Sequence, residues 1–583
     1  MKSIDYSISV LRKRLLSVWV AITFLFCFLC GRFLYVQVIW QDELSARALD
    51  QWMREIPLVA ERGLITDRNG EPLVQNDTAY TVYARSNAVK DKKETAARLA
   101  AALGVDESNL LQRLTKVKAS EVTVAKRIEK SAIADLTAQG LDGVYYSRDN
   151  LRYYPQGQTL CQVLGFTSSD NHGTTGLEKY YEQYLAGKNG ELLYETDLVG
   201  IELDGAVAAY RPAENGASLQ LTIDLGVQKV VEDALLRVAD EYRPVSAECI
   251  VLDPNTFEVL AMANYPSYDL NDIPRNDAEK LNDLSRNRLV SDIYEPGSTF
   301  KVITAAANVE EYLQGNRSAV SQTHIFSSSR TRCVDSTTVK CWNNHSNGKH
   351  SNQTLADALN NSCNPCFTDI AMSLGTETFY RYLSAFGFGG KTGLDFGGEA
   401  YGLLLPKTAV RGCDLARIGF GQTVAVTGLQ LACATAAAVN GGVYYTPRMV
   451  KRIYTEDGFT IQEFTPEVKR RVISEAASKI VAGMLEGVVS SGSGKKASVE
   501  GVRVGGKTGT AQKYENGRIA AGKYVSSFVG FFPVEAPKYL ALVVVDEPQG
   551  AYYGSVVAAP CAGEIFKGVV DLEQERLEIQ KNR

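Results

Sequence analysis

Three short stretches carry residue types that can make and break acyl bonds. The first is Tyr294-Glu295-Pro296-Gly297-Ser298-Thr299-Phe300-Lys301-Val302. Pro-Gly ahead of an apolar-periodic run marks a helix start, so Ser298 falls near a helix N-terminus. The plain reading is an N-cap serine that stabilises the helix by about 1 kcal/mol. Lys301 does not fit that reading, because a lysine in the first turn opposes the helix dipole. Residues three apart share a helical face, so Ser298 and Lys301 can touch. If Lys301 is buried, desolvation favours its neutral amine, which can take the serine proton. The positive helix end would favour the developing alkoxide.

The second stretch is Asn360-Asn361-Ser362-Cys363-Asn364. Ser362 and Asn364 either point a hydroxyl and an amide into one cleft or mark a helix kink or cap. The third is "VGGKTGTAQ", containing Lys507, Thr508, Gly509 and Thr510. Gly501 to Thr508 fits the phosphate-binding pattern G-x-x-x-x-G-K-[ST], but that pattern needs a helix directly behind it. The residues that follow are Gly-rich and turn-like. The better expectation is an exposed strand beside an active site. Lys507 can then hold a substrate carboxylate with Thr508 and Thr510, and Gly509 lets the substrate backbone approach. The Thr510 N–H can join that of Ser298 in an oxyanion hole.

The elements around these stretches suggest an exported, multi-domain protein. The chain has 583 residues, enough for two to four domains. Its net charge of −5 argues against general nucleic-acid binding. Only His172, His324, His345 and His350 are available for histidine chemistry. After Arg12-Lys13-Arg14 an uncharged apolar run extends from Leu15 to Gly31 and, past Arg32, on to Trp40. About 20 apolar residues span a bilayer. A basic flank predicts a cytoplasmic N-terminus and an exported remainder. A cleaved signal peptide or a core helix is the alternative, but the run is long for a signal and no small-residue cleavage site follows Trp40. The 11 cysteines include Cys27 and Cys30 in this anchor and leave an odd number outside. Their spacing reads as neither a disulfide framework nor a zinc pattern. Cys333 and Cys341 can bridge, and Cys363-Asn364-Pro365-Cys366 is a CxxC.

Further along, Asn69-Gly70 signals a hairpin. "KETAARLAAALG" and "GLEKYYEQYLAGKNG" read as amphipathic helices. "SAECIVLD" and "EVLAMANY" read as antiparallel strands. Helices are expected at "STFKVITAAANVEEYL", "QTLADALNNSCNPCFTDIAMSLG", "GLQLACATAAAVNGG" and "SEAASKIVAGMLEGVV", and strands return at "GVRVGGKTGTAQ", "YVSSFVGFFPV" and "KYLALVVVDEP". Strands at both ends with helices between them indicate an α+β fold with an antiparallel sheet packed between helices. The expected organisation is a tail at 1–14, a transmembrane anchor at 15–40, a mixed α/β module at 41–215, a connecting segment at 216–245, a catalytic domain at 246–575 and a tail at 576–583.

Ser-x-x-Lys, Ser-x-Asn and Lys-Thr-Gly, in this order, form the set named for penicillin-binding proteins and β-lactamases. "RGLITDRNG", "GLEKYYEQYLAGKNG", "LTIDLGVQ", "NRLVSDIYEPGSTFKV", "NSCN", "IGFGQTVAVTGLQLACATAAAVNGG" and "GGKTGTAQ" extend the likeness from the anchor to about residue 570. The chain resembles class B penicillin-binding proteins, and "EPGSTFK" resembles the division and sporulation branch more than the elongation branch. The resemblance implies an elongated pedestal or dimerisation-like module and a D,D-transpeptidase that cross-links peptidoglycan stem pentapeptides. Ser298 would be the nucleophile, Lys301 the base, Ser362 a proton relay and Asn364 an orienting amide. Lys507, Thr508, Gly509 and Thr510 would bind substrate, and β-lactams would acylate Ser298. No metal or organic cofactor is implied. The implied partner is a polytopic membrane glycosyltransferase.

Some relatives carry extra repeats after the transpeptidase, and the expectation here is a chain without them. The competing readings are a β-lactam-hydrolysing or sensing protein of the same fold, or a scaffold that activates a glycan polymerase. "CWNNHSNGKHSNQT" departs from the Gly-His-Gly-like element common in the family, and Cys366 is unexpected beside the site. Cys333, Cys341, Cys363 and Cys366 are candidates for a redox switch.

Overall fold

The structure, a computed structural model, describes residues 7–44, 53–116, 121–196, 202–343, 345, 350–515 and 518–582. The first residues of the expected cytoplasmic tail, positions 45–52 and residues 344 and 346–349 of the altered loop lie outside the described residues. Two compact units interleave along the chain: Met1–Ala60, Thr78–Asn150 and Lys188–Glu214 form one, and Glu61–Asp77, Leu151–Gly187 and Asn215–Arg583 the other.

The smaller unit begins with helix Ile8–Val38, which buries none of its side chains in the protein. Among the described residues this is the one helix long and apolar enough to cross a membrane. Three antiparallel strands follow in the order Met53–Leu58, Gly190–Thr196, Glu202–Arg211. A separate core gathers Val82, Leu99, Leu110, Leu114, Val124 and Leu136. Helix Lys92–Leu103 forms where the amphipathic period places it. The Asp91 carboxylate accepts from the Lys93 and Glu94 N–H groups, and Gly104, at φ +67°, ends the helix in the left-handed conformation that its missing Cβ permits.

In the larger unit the expected antiparallel sheet is present. We label its strands β1 (Ser246–Leu252), β2 (Val259–Tyr265), β3 (Gly505–Glu515), β4 (Arg518–Phe532) and β5 (Tyr539–Asp546), paired in the order β2-β1-β5-β4-β3. Every residue of β1 is buried, because helices cover both faces of the sheet and its central strands need no polar side. On one face Ala247, Cys249, Val251, Val543 and Val545 meet helices α1 (Leu225–Tyr242) and α7 (Ala558–Asn582). On the other, Ile250, Leu252, Leu540 and Leu542 share a core with α2 (Lys301–Leu313), α5 (Gly428–Val439) and α6 (Glu475–Ser490). Between them in sequence lie α3 (Leu355–Asn360) and α4 (Asn364–Ala385). Residues 576–582, expected as a tail, continue α7. Arg576 donates two 2.7 Å bonds to Asp224, whose carboxylate also caps α1.

The stretch "GLEKYYEQYLAGKNG" differs from the single helix expected. It forms two short helices, Gly176–Tyr180 and Glu182–Leu185, broken at Tyr181. Tertiary contacts override the local period here. Tyr181 donates to Asp395, and buried Glu178 is gripped by Arg62 Nε at 2.6 Å and Arg152 Nε at 2.7 Å. Arg62 Nη2 also reaches Glu182 at 2.6 Å. This network ties "RGLITD" to "GLEKYYE" inside the same unit. Removing one member of a buried charge network leaves the others unpaired. Glu178→Ala should therefore lower the unfolding free energy of the larger unit by about 3–5 kcal/mol, read from urea unfolding of the detergent-solubilised chain. A change indistinguishable from zero would mean that the network does not hold the two segments together.

Candidate active site

Ser298 lies in a single 3₁₀ turn, Gly297–Phe300, that runs directly into α2. It caps neither helix: the N-cap positions are Pro296 and Phe300, without side-chain caps, and it is Thr299 whose hydroxyl donates to Pro296 O at 2.7 Å. The capping explanation for Ser298 therefore fails. A 3₁₀ turn brings residues i and i+3 into line, so Ser298 is aligned with Lys301, the first residue of α2. Ser298 is half-buried, whereas Lys301 is fully buried at 0% exposure.

Ser362 occupies the short turn between α3 and α4, at φ +53°. A non-glycine residue in that region persists only where its surroundings hold it, and such strain clusters at functional sites. Lys301 Nζ supplies the hold, donating to Ser362 O at 2.8 Å and Asn364 Oδ1 at 2.7 Å, and lies 3.1 Å from Ser362 Oγ. Helix-like text thus reads as two helices, with Cys363 as N-cap of the second and Asn364 its first residue.

Lys507 comes from strand β3, in register with Val529 of β4, so the phosphate-loop pattern is carried by a strand with no helix behind it. Its Nζ reaches Ser362 Oγ at 3.0 Å and Thr508 O at 3.0 Å, and lies 3.4 Å from Thr508 Oγ1. One serine oxygen thus sits between two lysine nitrogens. Burial pulls Lys301 down to about 8. Burial, and then the neighbouring Lys301, hold Lys507 well below the ordinary lysine range. A neutral Lys301 amine has two hydrogens for its two shortest acceptors, Ser362 O and Asn364 Oδ1, and one lone pair left to take a hydroxyl proton.

Thr508 Oγ1 also pairs with Ser493 Oγ at 2.9 Å. Nothing in the spacing singles out Ser493, which sits in the run Ser490-Ser491-Gly492-Ser493-Gly494 and reads as turn material. Thr510 Oγ1 accepts from Gly554 N–H at 3.0 Å, leaving its hydroxyl hydrogen to donate elsewhere. The Thr510 backbone lies against the Ser298 turn, since a Cβ added to Gly297 would sit 3.1 Å from Thr510 O.

Gly509 has a packing role that its spacing did not announce. The space its side chain would fill is occupied by Ser527 Oγ, Thr299 Cγ2 and Pro296 O, at 2.4, 3.0 and 3.1 Å from an added Cβ. The glycine lets β3 lie against the turn that carries Ser298. The cysteines also group unexpectedly. Beside the Ser362–Asn364 turn, Cys341, His345, His350 and Cys363 bring ligand atoms to within 4.8 Å of one another. Cys333 is exposed on its hairpin, with Thr338 Oγ1 3.6 Å from its sulfur, and Cys366 Sγ accepts from Gln353 at 3.7 Å. Gly509→Ala should cost about 1–3 kcal/mol by overpacking, measured by urea unfolding. Unchanged stability would show that the β3–turn contact is loose.

The comparisons with known proteins fit this geometry. Residues 248–567 match the penicillin binding protein transpeptidase domain, and residues 57–221 the penicillin-binding protein dimerisation domain. Stage V sporulation protein D of Bacillus subtilis is 37% identical over 95% of this chain and 85% of its own length. Peptidoglycan D,D-transpeptidase FtsI of Escherichia coli K12 is 29% identical over 93% of this chain and 89% of its own length. The crystal structure of a peptidoglycan synthetase from Bifidobacterium adolescentis superposes with a TM-score of 0.71 at 25% identity, covering 90% of this chain and 97% of that one. A penicillin-binding transpeptidase domain that spans more than half of the chain, behind a dimerisation domain, makes this protein a member of the class B penicillin-binding proteins, in their division and sporulation branch.

Proposed function

We propose that this serine transpeptidase cross-links peptidoglycan stem peptides through an acyl-enzyme on Ser298, in septal or spore wall synthesis. The observation that carries the reading is the Ser362 hydroxyl held between two buried lysines, with Ser298 aligned to one of them. Neutral Lys301 takes the Ser298 proton as Oγ attacks the carbonyl of the D-Ala-D-Ala bond. The N–H groups of Ser298 and Thr510 receive the oxyanion. The proton held by Lys301 passes through Ser362 to the departing D-alanine amine, while Asn364 orients the substrate amide. An amine of a neighbouring stem peptide then attacks the ester, forming the cross-link and freeing Ser298.

The substrate carboxylate binds at Lys507, Thr508 and Thr510. Its negative charge offsets the desolvation that disfavours charged Lys507, so substrate entry restores that ammonium. A β-lactam carries a comparable carboxylate next to its reactive carbonyl and acylates the same serine. The basic residues before helix Ile8–Val38 support a cytoplasmic N-terminus, with both units outside the membrane. The anchor and the dimerisation domain would contact a polytopic glycan polymerase.

Fluorescent penicillin should label the protein covalently and Ser298→Ala should lose the label. A label that survives that substitution overturns the assignment, and rapid release of hydrolysed drug would favour a β-lactamase reading. Lys301→Ala should slow acylation by about 10²–10⁴-fold. Because the neutral amine is the active form, the wild-type acylation rate should climb with pH through a midpoint near about 8. A rate flat between about pH 6 and about pH 9 would require another base.

A further inference from the structure

We propose that Cys341, His345, His350 and Cys363 bind one zinc ion, and that this ion fixes the Ser362–Asn364 turn beside the catalytic lysines. The donor atoms of all four residues lie within 4.8 Å of one another. Zinc–sulfur bonds of about 2.3 Å and zinc–nitrogen bonds of about 2.0–2.1 Å make the edges of a tetrahedron about 3.3–3.8 Å long. Two contacts in the cluster have that length: Cys341 Sγ to His350 Nδ1 at 3.7 Å and Cys363 Sγ to His345 Nε2 at 3.8 Å. The two imidazole rings lie 4.5 Å apart, centre to centre.

The tautomer of His345 is set from behind. Its Nδ1 lies 2.9 Å from Ser328 O, a partner that can only accept. Nδ1 therefore carries the proton, and Nε2 presents its lone pair toward Cys363. A ring N–H donated to a backbone carbonyl, with the opposite nitrogen turned to the metal, is the usual support of a ligating histidine. Two thiolates and two neutral imidazoles match zinc in both softness and geometry. Binding releases two protons, one from each thiol, and the completed centre has no net charge. It therefore brings no new charge close to Lys301. Four protein ligands close the coordination sphere, which makes the ion structural rather than catalytic.

The position gives the centre its purpose. Cys363 lies between Ser362 and Asn364, both bonded to Lys301. The other three ligands come from the segment after the hairpin Thr331–Val334/Thr337–Lys340. That segment touches the turn twice more, through Trp342 Nε1 donating to Asn361 O at 3.1 Å and Asn364 Nδ2 donating to Lys340 O at 3.3 Å. Zinc would clamp the two pieces together and hold Ser362 in its left-handed conformation.

The test uses the full-length, untagged protein in detergent, purified with zinc present. About one zinc per chain is expected, and exchange to cobalt(II) should give the intense visible bands and thiolate charge-transfer absorption of a tetrahedral site. Cys341→Ser and His350→Ala should lose stoichiometric metal and those bands, while Cys333→Ser keeps them. Chelation should lower the melting temperature of the wild-type protein. If the ligand variants fail to fold, cobalt(II) titration of the wild-type chain decides, with a tetrahedral end point at about one equivalent supporting the site. Wild-type protein with reduced thiols that binds no metal overturns the proposal. So does a Cys341–Cys363 disulfide found by mass spectrometry in protein purified with zinc present. These readouts do not depend on Ser298 acting as the nucleophile.

Discussion

The site depends on one contact: a single serine oxygen, Ser362 Oγ, lies within hydrogen-bond reach of two lysine nitrogens that are both cut off from water. Both lysines have lost their hydration, and Lys507 in addition faces the charge of Lys301, so both are driven toward neutrality. That pressure makes a residue normally charged at neutral pH suited to act as a base. It also leaves room for a negative charge, which suits the carboxylate of the proposed substrate. The arrangement exists only because three distant elements converge. Helix α2 delivers Lys301, the turn before α4 delivers Ser362, and strand β3 delivers Lys507.

Buried charge is handled differently elsewhere in the same unit. Arg62 and Arg152 are buried like Lys301 and Lys507, but they meet the Glu178 carboxylate at hydrogen-bond distance. That network is fully paired and serves to hold chain segments together. The hydrogen-bond partners of the lysine pair among the described residues are neutral acceptors. The contrast separates a structural charge network from a reactive one, although both are built from buried cations and neither is exposed enough to be screened by solvent.

The Ser362 turn is held from two sides. On one side Lys301 binds its carbonyl and the Asn364 amide oxygen. On the other, Cys363 faces a thiol and two imidazoles. A residue at positive φ returns to a commoner conformation unless it is held, and both sides of this turn carry groups able to hold it. Ser298 is held by different means: Gly509 allows strand β3 to lie flush with the 3₁₀ turn that carries Ser298. Packing there sets the distance between the Thr510 backbone and the Ser298 turn.

Much of this was legible in the chain itself. The apolar N-terminal run, the capped helix at Lys92–Leu103, the antiparallel strands and the order of the three motifs all follow from local periodicity and turn chemistry, which depend on near neighbours in sequence. The motif order also named the residues of the site, because Ser298 and Lys301 are three apart. Other features depended on contacts that sequence spacing does not encode. The break at Tyr181 follows from bonds to Asp395, Arg62 and Arg152, more than 20 residues away from it in each case. Ser493 meets Thr508 from the turn that follows α6, and Gly509 packs against the Ser298 turn, through contacts between segments far apart in sequence. The Cys341, His345, His350 and Cys363 group has no recognisable spacing, since a loop supplies three members and a helix N-terminus the fourth. Sequence alone therefore determined which local elements form and which residues can react. Tertiary structure decided which of those residues are dry, and so which lysines lose their charge readily, because burial is a property of the packed chain and not of any stretch of it.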